Sequence, residues 1–219
     1  MIVTGPDEAR TAAAGGADRV ELVARRARGG LTPDVSTVKA VVEAVTIPVH
    51  VMARPNDRSF TYRGADRAAL LRDVSSVAAL KPAAIVAGAL DDRRRIDVSL
   101  LRDILDAAEG VPVTFHRAFD ELADVNAGFD VLAEFEQVAR VLTSGRAADA
   151  WAGRNVIAGL IAKGCGPIVL PGAGIREQNV RDLLAATKAR EIHVGDGART
   201  EGRLDRERVA SLKRAMDAG

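Results

Sequence analysis

Short runs rich in Val and Ile alternate along this chain with longer Ala- and Leu-rich segments whose apolar residues recur at helical spacing. Such apolar runs predict buried strands, and the helical period predicts helices that cover them. The predicted strands lie near residues 1–4, 18–23, 47–53, 83–87, 111–116, 138–143, 167–170 and 191–194. The predicted helices lie near residues 6–15, 33–45, 66–80, 99–109, 121–135, 147–163, 176–186 and 205–217.

This order of elements is that of repeated βα units, which predicts the α/β fold class. The chain has no linker, low-complexity segment or break in composition, so we expect a single domain over residues 1–219. Eight βα units most simply close into a (β/α)8 TIM barrel, here at the short end of that fold's size range. A doubly wound open sheet is the alternative.

Composition and charge limit the classes of partner. The chain has 31 basic and 30 acidic residues and a formal net charge of +1, with both signs interspersed. No broad electrostatic field is therefore available to attract nucleic acid or an anionic membrane. The expected partners are small molecules, a metal ion, or further copies of this chain.

Two further features bear on location and redox chemistry. No apolar run approaches the roughly 20 residues that span a bilayer, and residues 1–6 do not resemble a secretion signal, so we expect a cytoplasmic protein. Cys165 is the only cysteine, which excludes an internal disulfide and a metal site built from thiolates alone. We expect Cys165 to serve packing, on the face opposite the barrel mouth.

Polar residues gather where the predicted strands end, which is where βα barrels place their chemistry. The segment VTFHRAFD at 113–120 begins as a buried strand and then places His116, Arg117 and Asp120 together. The full set of candidate site residues is Glu21, Arg54, His116, Arg117, Asp120, Ser144, Gly172, Gly174, His193 and Gly195.

The residue types favour general acid–base chemistry. Glu21, His116, Arg117 and Asp120 form the candidate catalytic group, acting on a substrate held by Arg54, Arg117 and glycine loops. No lysine ends a predicted strand, so a Schiff-base mechanism is not expected. The structural alternative is that Arg117 and Glu21 form an ion pair that closes the barrel top.

Two glycine-containing loops follow the last two predicted strands. Gly172 and Gly174 lie between a strand and a helix, and Gly195 follows His193. Phosphate sites in such barrels often use these two loops, where backbone amides are free to bind an anion. Tight turn geometry is the alternative, and Asp196 argues against a phosphate unless its carboxylate turns away.

The histidines give a weaker signal. His50, His116 and His193 are the 3 histidines of the chain and lie on separate predicted strands. Convergence on a metal ion is one alternative. For His50, which lies deeper in its strand, a hydrogen-bonded core histidine is the favoured interpretation.

Several sequence blocks, in order along nearly the whole chain, resemble the CutC copper homeostasis family. The blocks are GGADRVELV at 15–23, GGLTP at 29–33, IPVHVMARP at 47–55, PVTFHRAFD at 112–120, RVLTSG at 140–145, PGAG at 171–174 and EIHV at 191–194. The resemblance implies a cytoplasmic TIM barrel linked to copper tolerance, usually oligomeric, without an established catalytic activity. The pocket residues that the resemblance implies are Glu21, His50, Arg54, His116, Arg117, Asp120, Ser144, Gly172, Gly174 and His193.

The chain departs from the family pattern where cysteines are usual. Val23 follows the Glu-Leu pair, Thr61 stands in the usual Phe-Cys-Tyr run, and the first strand is short and lacks its cysteine-containing run. Cu(I) prefers soft thiolate and thioether ligands. The soft ligands of this chain are Cys165, Met1, Met52 and Met216.

Two functional hypotheses follow. In the first, the protein is a binding or regulatory factor in copper handling, with any metal held by histidines assisted by Glu21 or Asp120. In the second, it is an enzyme of the isomerase or lyase type that acts on a small anionic or phosphorylated metabolite without binding copper directly. We also expect a homodimer or higher homo-oligomer, with Trp151, Leu160 and Ile161 as candidate surface apolar residues.

Overall fold

Seven parallel strands form one sheet in the computed structural model, which describes residues 1–217. The strands pair in sequence order and are β1 (Ile2–Val3), β2 (Val20–Leu22), β3 (Val49–Met52), β4 (Ala84–Ala87), β5 (Val113–Phe115), β6 (Val138–Thr143) and β7 (Ile168–Pro171). The helices are α1 (Pro6–Ala14), α2 (Val35–Ala44), α3 (Gly64–Ala78), α4 (Val98–Ala107), α5 (Val125–Ala133), α6 (Arg154–Ala162), α7 (Glu177–Thr187) and α8 (Arg206–Asp217).

The segment 191–194, expected as an eighth strand, forms only an isolated parallel bridge between His193 and Gly172. Its backbone nevertheless reaches both edges of the sheet. His193 N donates to Pro171 O of β7 at 2.8 Å, and Ile2 N of β1 donates to Val194 O at 2.9 Å. The seven-stranded sheet is therefore curled, whereas a complete eight-stranded barrel is not established.

The sequential strand order also settles the alternative topology. A doubly wound sheet reverses its strand order at a switch point, and β1 to β7 show no reversal. A feature that the pattern did not predict is a small antiparallel pair, β8 (Arg199–Thr200) and β9 (Arg203–Leu204), which precedes α8.

Local chemistry moves two helix starts away from the predicted positions. Asp124 caps α5, because its carboxylate accepts hydrogen bonds from Asn126 N at 2.8 Å and Ala127 N at 3.1 Å. Helix α5 therefore begins at Val125 instead of residue 121, and a short 3-10 helix fills residues 117–121. Helix α6 begins at Arg154 instead of residue 147, because residues 144–153 form a tightly packed loop.

The strand side chains divide between two apolar clusters. Val20 and Leu22 of β2 belong to the main core between the sheet and the helices. Val23, Met52 and Val86 form a separate small cluster packed against Ile2. Since successive strand residues point to opposite faces, this second cluster lies on the inner face of the curled sheet.

An ion cluster joins the amino ends of the strands on the inner side. Glu191 accepts from Arg19 Nη2 at 2.6 Å and from Arg140 Nε at 2.8 Å. Although its partial burial acts in the opposite direction, these hydrogen bonds and the two positive charges lower the pKa of Glu191 to about 2. The cluster lies at the opposite end of the sheet from the candidate site residues.

The structure corrects two expectations about the surface. Cys165 is exposed, in the turn between α6 and β7, so the expected packing role is wrong. Leu160 is buried in the core, which removes it from the candidate surface residues. Trp151 is exposed, but it precedes α6 and its ring faces the Arg154 guanidinium at 4.5 Å. No helix within residues 1–217 combines the length and apolar character that crossing a bilayer requires.

Candidate functional site

A cavity of about 590 Å³ lies at the carboxyl ends of the strands. Its walls include Glu21, Arg54, His116, Arg117, Asp120, Gly174, His193 and Gly195 from the predicted set. Ser144 and Gly172 lie just behind the wall, because Ser144 hydrogen-bonds Arg117 and Gly172 is bridged to His193. The other wall residues were not predicted as site residues from the sequence. They include Ile2, Val23, Arg26, Met52, Phe60, Leu142, Ile175 and Arg176.

Glu21 and His193 form the most strongly perturbed pair in this cavity. Both residues are buried, and His193 Nε2 lies 3.7 Å from Glu21 Oε1. Burial raises the pKa of Glu21 to about 7, against the opposing effect of nearby positive charges. Burial, reinforced by positive charges that include Arg19 and Arg117, lowers the pKa of His193 well below its usual value.

These two pKa shifts determine the protonation states of Glu21 and His193 at neutral pH. His193 is neutral, so the contact is not an ion pair despite its short distance. Glu21 is close to half protonated, which makes it able to accept or donate a proton with little change in pH. At 3.7 Å the two side chains are too far apart for a good hydrogen bond, so the carboxyl is not committed to His193.

His116 is a neutral hydrogen-bond donor in this geometry. Its Nδ1 accepts from Ala118 N at 3.3 Å, which assigns the ring proton to Nε2. Nε2 is buried and has no hydrogen-bond partner among residues 1–217. Burial, reinforced by the charge of Arg54, lowers the pKa of His116 to about 3. The predicted acid–base role of His116 therefore fits less well than a donor role.

Position 88 requires glycine, because the His116 imidazole leaves no room for a Cβ there. An added Cβ at Gly88 would lie 2.9 Å from His116 Nδ1. The small residue at the end of β4 thus leaves room for the ring, which also packs 4.8 Å from the Phe60 ring centroid.

Arg54 is a buried cation without a hydrogen-bonded carboxylate among the described residues. Its Nη1 makes only long contacts to the carbonyl oxygens of Gly29 at 3.5 Å and Gly30 at 3.4 Å. Its Nε has no partner, and its guanidinium carbon lies 4.5 Å from the Phe60 ring centroid. A buried cation without a hydrogen-bonded carboxylate is unfavourable. Its uncompensated charge gives this wall a positive potential.

Asp120 holds the loop that carries Arg117. Arg117 Nε donates to Asp120 Oδ2 at 2.8 Å, and Arg117 Nη2 donates to Ser144 Oγ at 2.9 Å. Asp120 Oδ1 also accepts from Thr143 Oγ1 at 2.5 Å and Ser144 N at 3.0 Å. The carboxylate is occupied by these contacts, so we interpret Asp120 as a residue that positions Arg117 and not as one that exchanges protons. The alternative Arg117–Glu21 ion pair is not formed, because Arg117 pairs with Asp120.

The glycines of the last loops have packing reasons for their identity. A Cβ at Gly174 would lie 2.5 Å from Asp149 Cβ, and one at Gly172 would lie 2.6 Å from Leu142 Cδ1. Gly174 also has φ of 68°, which favours glycine. Asp196, beside Gly195, forms an ion pair with Arg26 across the cavity mouth. The phosphate site remains a prediction, and two carboxylates stand near the loops that would form it.

The histidines do not build a metal centre. No group of three or more His, Cys, Asp or Glu side chains with metal-binding geometry occurs within the described part of the chain. His50 is buried, as expected of a core histidine, and it does not line the cavity in which the family resemblance placed it. Burial, with a smaller effect of the Arg19 and Arg140 charges, lowers the pKa of His50 to about 3.

A second, larger cavity of about 730 Å³ lies along α7 and α8 at the other end of the sheet. Its lining includes Arg19 and Glu191, which are already paired with each other, and the helix residues Leu184 and Leu212. It contains none of the predicted site residues. We therefore place the candidate site in the smaller cavity.

Solved structures share this architecture. The putative copper homeostasis protein CutC from Streptococcus agalactiae aligns with a TM-score of 0.76 and 26% identity, covering 80% of this chain and 87% of that one. Phosphoribosyl anthranilate isomerase from Thermotoga maritima aligns with a TM-score of 0.67 and 12% identity, covering 100% of this chain and 98% of that one. The second likeness shows the fold alone.

Sequence relatives give the family. A family protein CutC from Salmonella paratyphi B is 43% identical over 189 residues, which is 86% of this chain and 75% of the relative. Its counterpart from Enterobacter sp. strain 638 is 40% identical over 203 residues, which is 93% of this chain and 81% of the relative. The CutC family model matches residues 1–198. This chain therefore belongs to the CutC family.

Proposed function

We propose that this protein is an enzyme of the isomerase or lyase type, in which Glu21 exchanges a proton with a small anionic molecule bound in the 590 Å³ cavity. The observation that carries the proposal is the state of Glu21, a buried carboxyl on the cavity wall whose pKa is raised to about 7. A carboxyl poised near neutral pH, with a neutral imidazole at 3.7 Å, suits general acid–base catalysis.

The proposal predicts exchange of carbon-bound protons with solvent. In D2O, we expect the protein to catalyse exchange of the C3 protons of 2-oxobutyrate, or of the hydroxymethyl protons of dihydroxyacetone phosphate, for deuterium. The loss of these proton signals would be followed by 1H NMR. The Glu21→Gln variant is expected to be slower by about 100-fold, because proton transfer by a positioned side chain typically contributes this much or more. Rates equal to those of buffer for both compounds would contradict the proposed chemistry.

A link to copper comes from the name of the Streptococcus agalactiae relative, a putative copper homeostasis protein. We propose that this chain shares a role in copper homeostasis and that the role is indirect. Met52 is the soft ligand on the cavity wall, and it packs in an apolar cluster with Val23 and Val86. Cys165 lies exposed at the opposite end of the sheet, so the donor set at the mouth does not fit Cu(I).

Copper binding can be tested directly. In a competition titration against a Cu(I) chelator, the reduced wild-type protein is expected to leave the metal with the chelator, and His116→Ala is expected to behave identically. Tight binding of one Cu(I) that is lost in His116→Ala would instead support the second candidate function, a histidine-based copper site. The observation that bears on that candidate is the unpartnered Nε2 of His116, which would ligate a metal only if the ring changed tautomer and gave up the hydrogen bond that Nδ1 accepts from Ala118 N.

Further expectations remain proposals of ours. We propose that residues 191–194 act as the eighth strand of a closed barrel, supported by their hydrogen bonds to Pro171 and Ile2. We also propose a single domain over residues 1–219, a cytoplasmic location, and a homodimer that uses the exposed Trp151. Analytical ultracentrifugation of the wild type and of Trp151→Ser would test this. We expect a dimeric wild type and a weakened dimer in the variant, and a monomeric wild type would contradict the proposal.

A further inference from the structure

The cavity presents three kinds of surface. Glu21 and His193 form a buried polar pair, and Arg54 and Arg117 supply positive charge. Val23, Met52 and Leu142 supply an apolar surface. A ligand that satisfies all three regions carries an anionic group, a short apolar body and an exchangeable proton.

Arg117 lines this cavity together with Arg26, Arg54 and Arg176, and hydrogen bonds fix one edge of its guanidinium. Its Nε and Nη2 are held by Asp120 and Ser144, whereas its Nη1 makes no hydrogen bond to residues 1–217. The side chain is 46% exposed, so the free N–H groups are accessible from the cavity. A guanidinium fixed on one edge presents its remaining donors in a planar arrangement without further loss of side-chain entropy.

We propose that Arg117 binds a carboxylate group of the ligand, with Arg54 adding positive potential from behind Phe60 and the apolar surface holding a short hydrocarbon body. This inference rests on the proposed function and names the substrate class as a small aliphatic carboxylic acid. The carboxylate would neutralise a wall on which the charge of Arg54 has no hydrogen-bonded acid.

The same geometry disfavours a phosphate ester. A phosphate site in this fold would use the amides of the loops after β7 and after residue 194. Arg176 N, at the start of α7, already donates to Asn179 Oδ1 at 2.8 Å. Asp149 packs against Gly174, and Arg26 is already paired with Asp196 beside Gly195, so neither loop offers an uncommitted cation from this pair. Anion recognition therefore falls to the arginine wall, whose planar donors match a carboxylate.

Calorimetric titration with butyrate, inorganic phosphate and butylamine tests this assignment. We expect butyrate to bind more tightly than phosphate or butylamine. Arg117→Gln is expected to weaken butyrate binding at least about tenfold, and Arg117→Lys, which keeps the charge but loses the planar fork, is expected to weaken it less. Unfolding curves of both variants would verify that they remain folded.

Arg58→Gln is the matched control, because Arg58 is an exposed arginine paired with Asp66 outside the cavity. It is expected to bind butyrate as the wild type does. Tighter binding of phosphate than butyrate, absence of butyrate binding, or equal affinity in Arg117→Gln would overturn the inference. Because proton exchange at Glu21 is measured separately, a protein that exchanges protons but fails these titrations would reject the carboxylate assignment and retain the proposed function.

Discussion

Asp120→Ala is expected to lower the free energy of unfolding by about 3 kcal/mol, because it leaves buried donors without an acceptor. Thr143 Oγ1 and Ser144 N both donate to Asp120, and both residues are fully buried. Each buried donor left unsatisfied costs about 1–3 kcal/mol. Denaturant unfolding, with the slope compared between variants, would measure the loss.

Asp66→Ala provides the comparison for Asp120→Ala. Asp66 also pairs with an arginine, Arg58, but neither side chain is buried, since 69% of Arg58 and 39% of Asp66 are exposed. Exposed ion pairs contribute about 1 kcal/mol or less, so this variant is expected to stay near the wild-type stability. If both variants lost the same free energy of unfolding, the buried hydrogen bonds of Asp120 would contribute no more to stability than the Arg58–Asp66 ion pair does.

The Asp120 network also shows what the sequence could predict of the site. The order of strands and helices placed His116, Arg117 and Asp120 at one strand end, and the structure brings them to the same cavity as Glu21 and His193. Their individual roles depend on hydrogen-bond partners that have no sequence signal. The sequence suggested Glu21 as the alternative partner of Arg117, whereas the short 3-10 helix at 117–121 brings Arg117 to Asp120.

The fold was more predictable than the site because strand and helix periods are local properties. The segment 191–194 is the informative exception. Its composition predicts a strand, yet in the structure it makes single hydrogen bonds to β7 and β1 instead of extended pairing. Whether a short apolar run pairs fully depends on the curvature of the whole sheet, which the pattern of one segment does not contain.

The apolar part of the cavity was missed for a different reason. Val23 and Met52 follow the same period as core residues, and the sequence cannot tell the inner face of a curled sheet from the outer one. Phe60 has no site signal in the sequence beyond its place before Thr61 in the family's Phe-Cys-Tyr run, whereas in the structure it packs against both Arg54 and His116. The charged and polar residues at the strand ends therefore predicted the polar side chains of the cavity, whereas its apolar side chains became apparent only in the fold.

Glu21→Gln is expected to become more stable relative to the wild type as pH rises from about 4.5 to above 7. The folded wild-type protein holds the Glu21 proton up to about pH 7, whereas the unfolded chain releases it near 4.5. Because the folded state binds more protons in this interval, wild-type stability falls with rising pH. The shift from 4.5 to about 7 corresponds to about 3 kcal/mol, which the variant does not lose.

Urea unfolding of each variant and the wild type at a series of pH values from about 2 to 8.5 would measure this difference, and using the difference cancels the titration of all other groups. Glu191→Gln is the control of opposite sign, because the Arg19 and Arg140 partners lower the pKa of Glu191 to about 2. Its stability relative to the wild type should fall between about pH 2 and 4.5 and stay level above. A difference for Glu21→Gln that is flat from pH 4.5 to 8 would mean that Glu21 ionises normally, and the acid–base proposal would lose its basis.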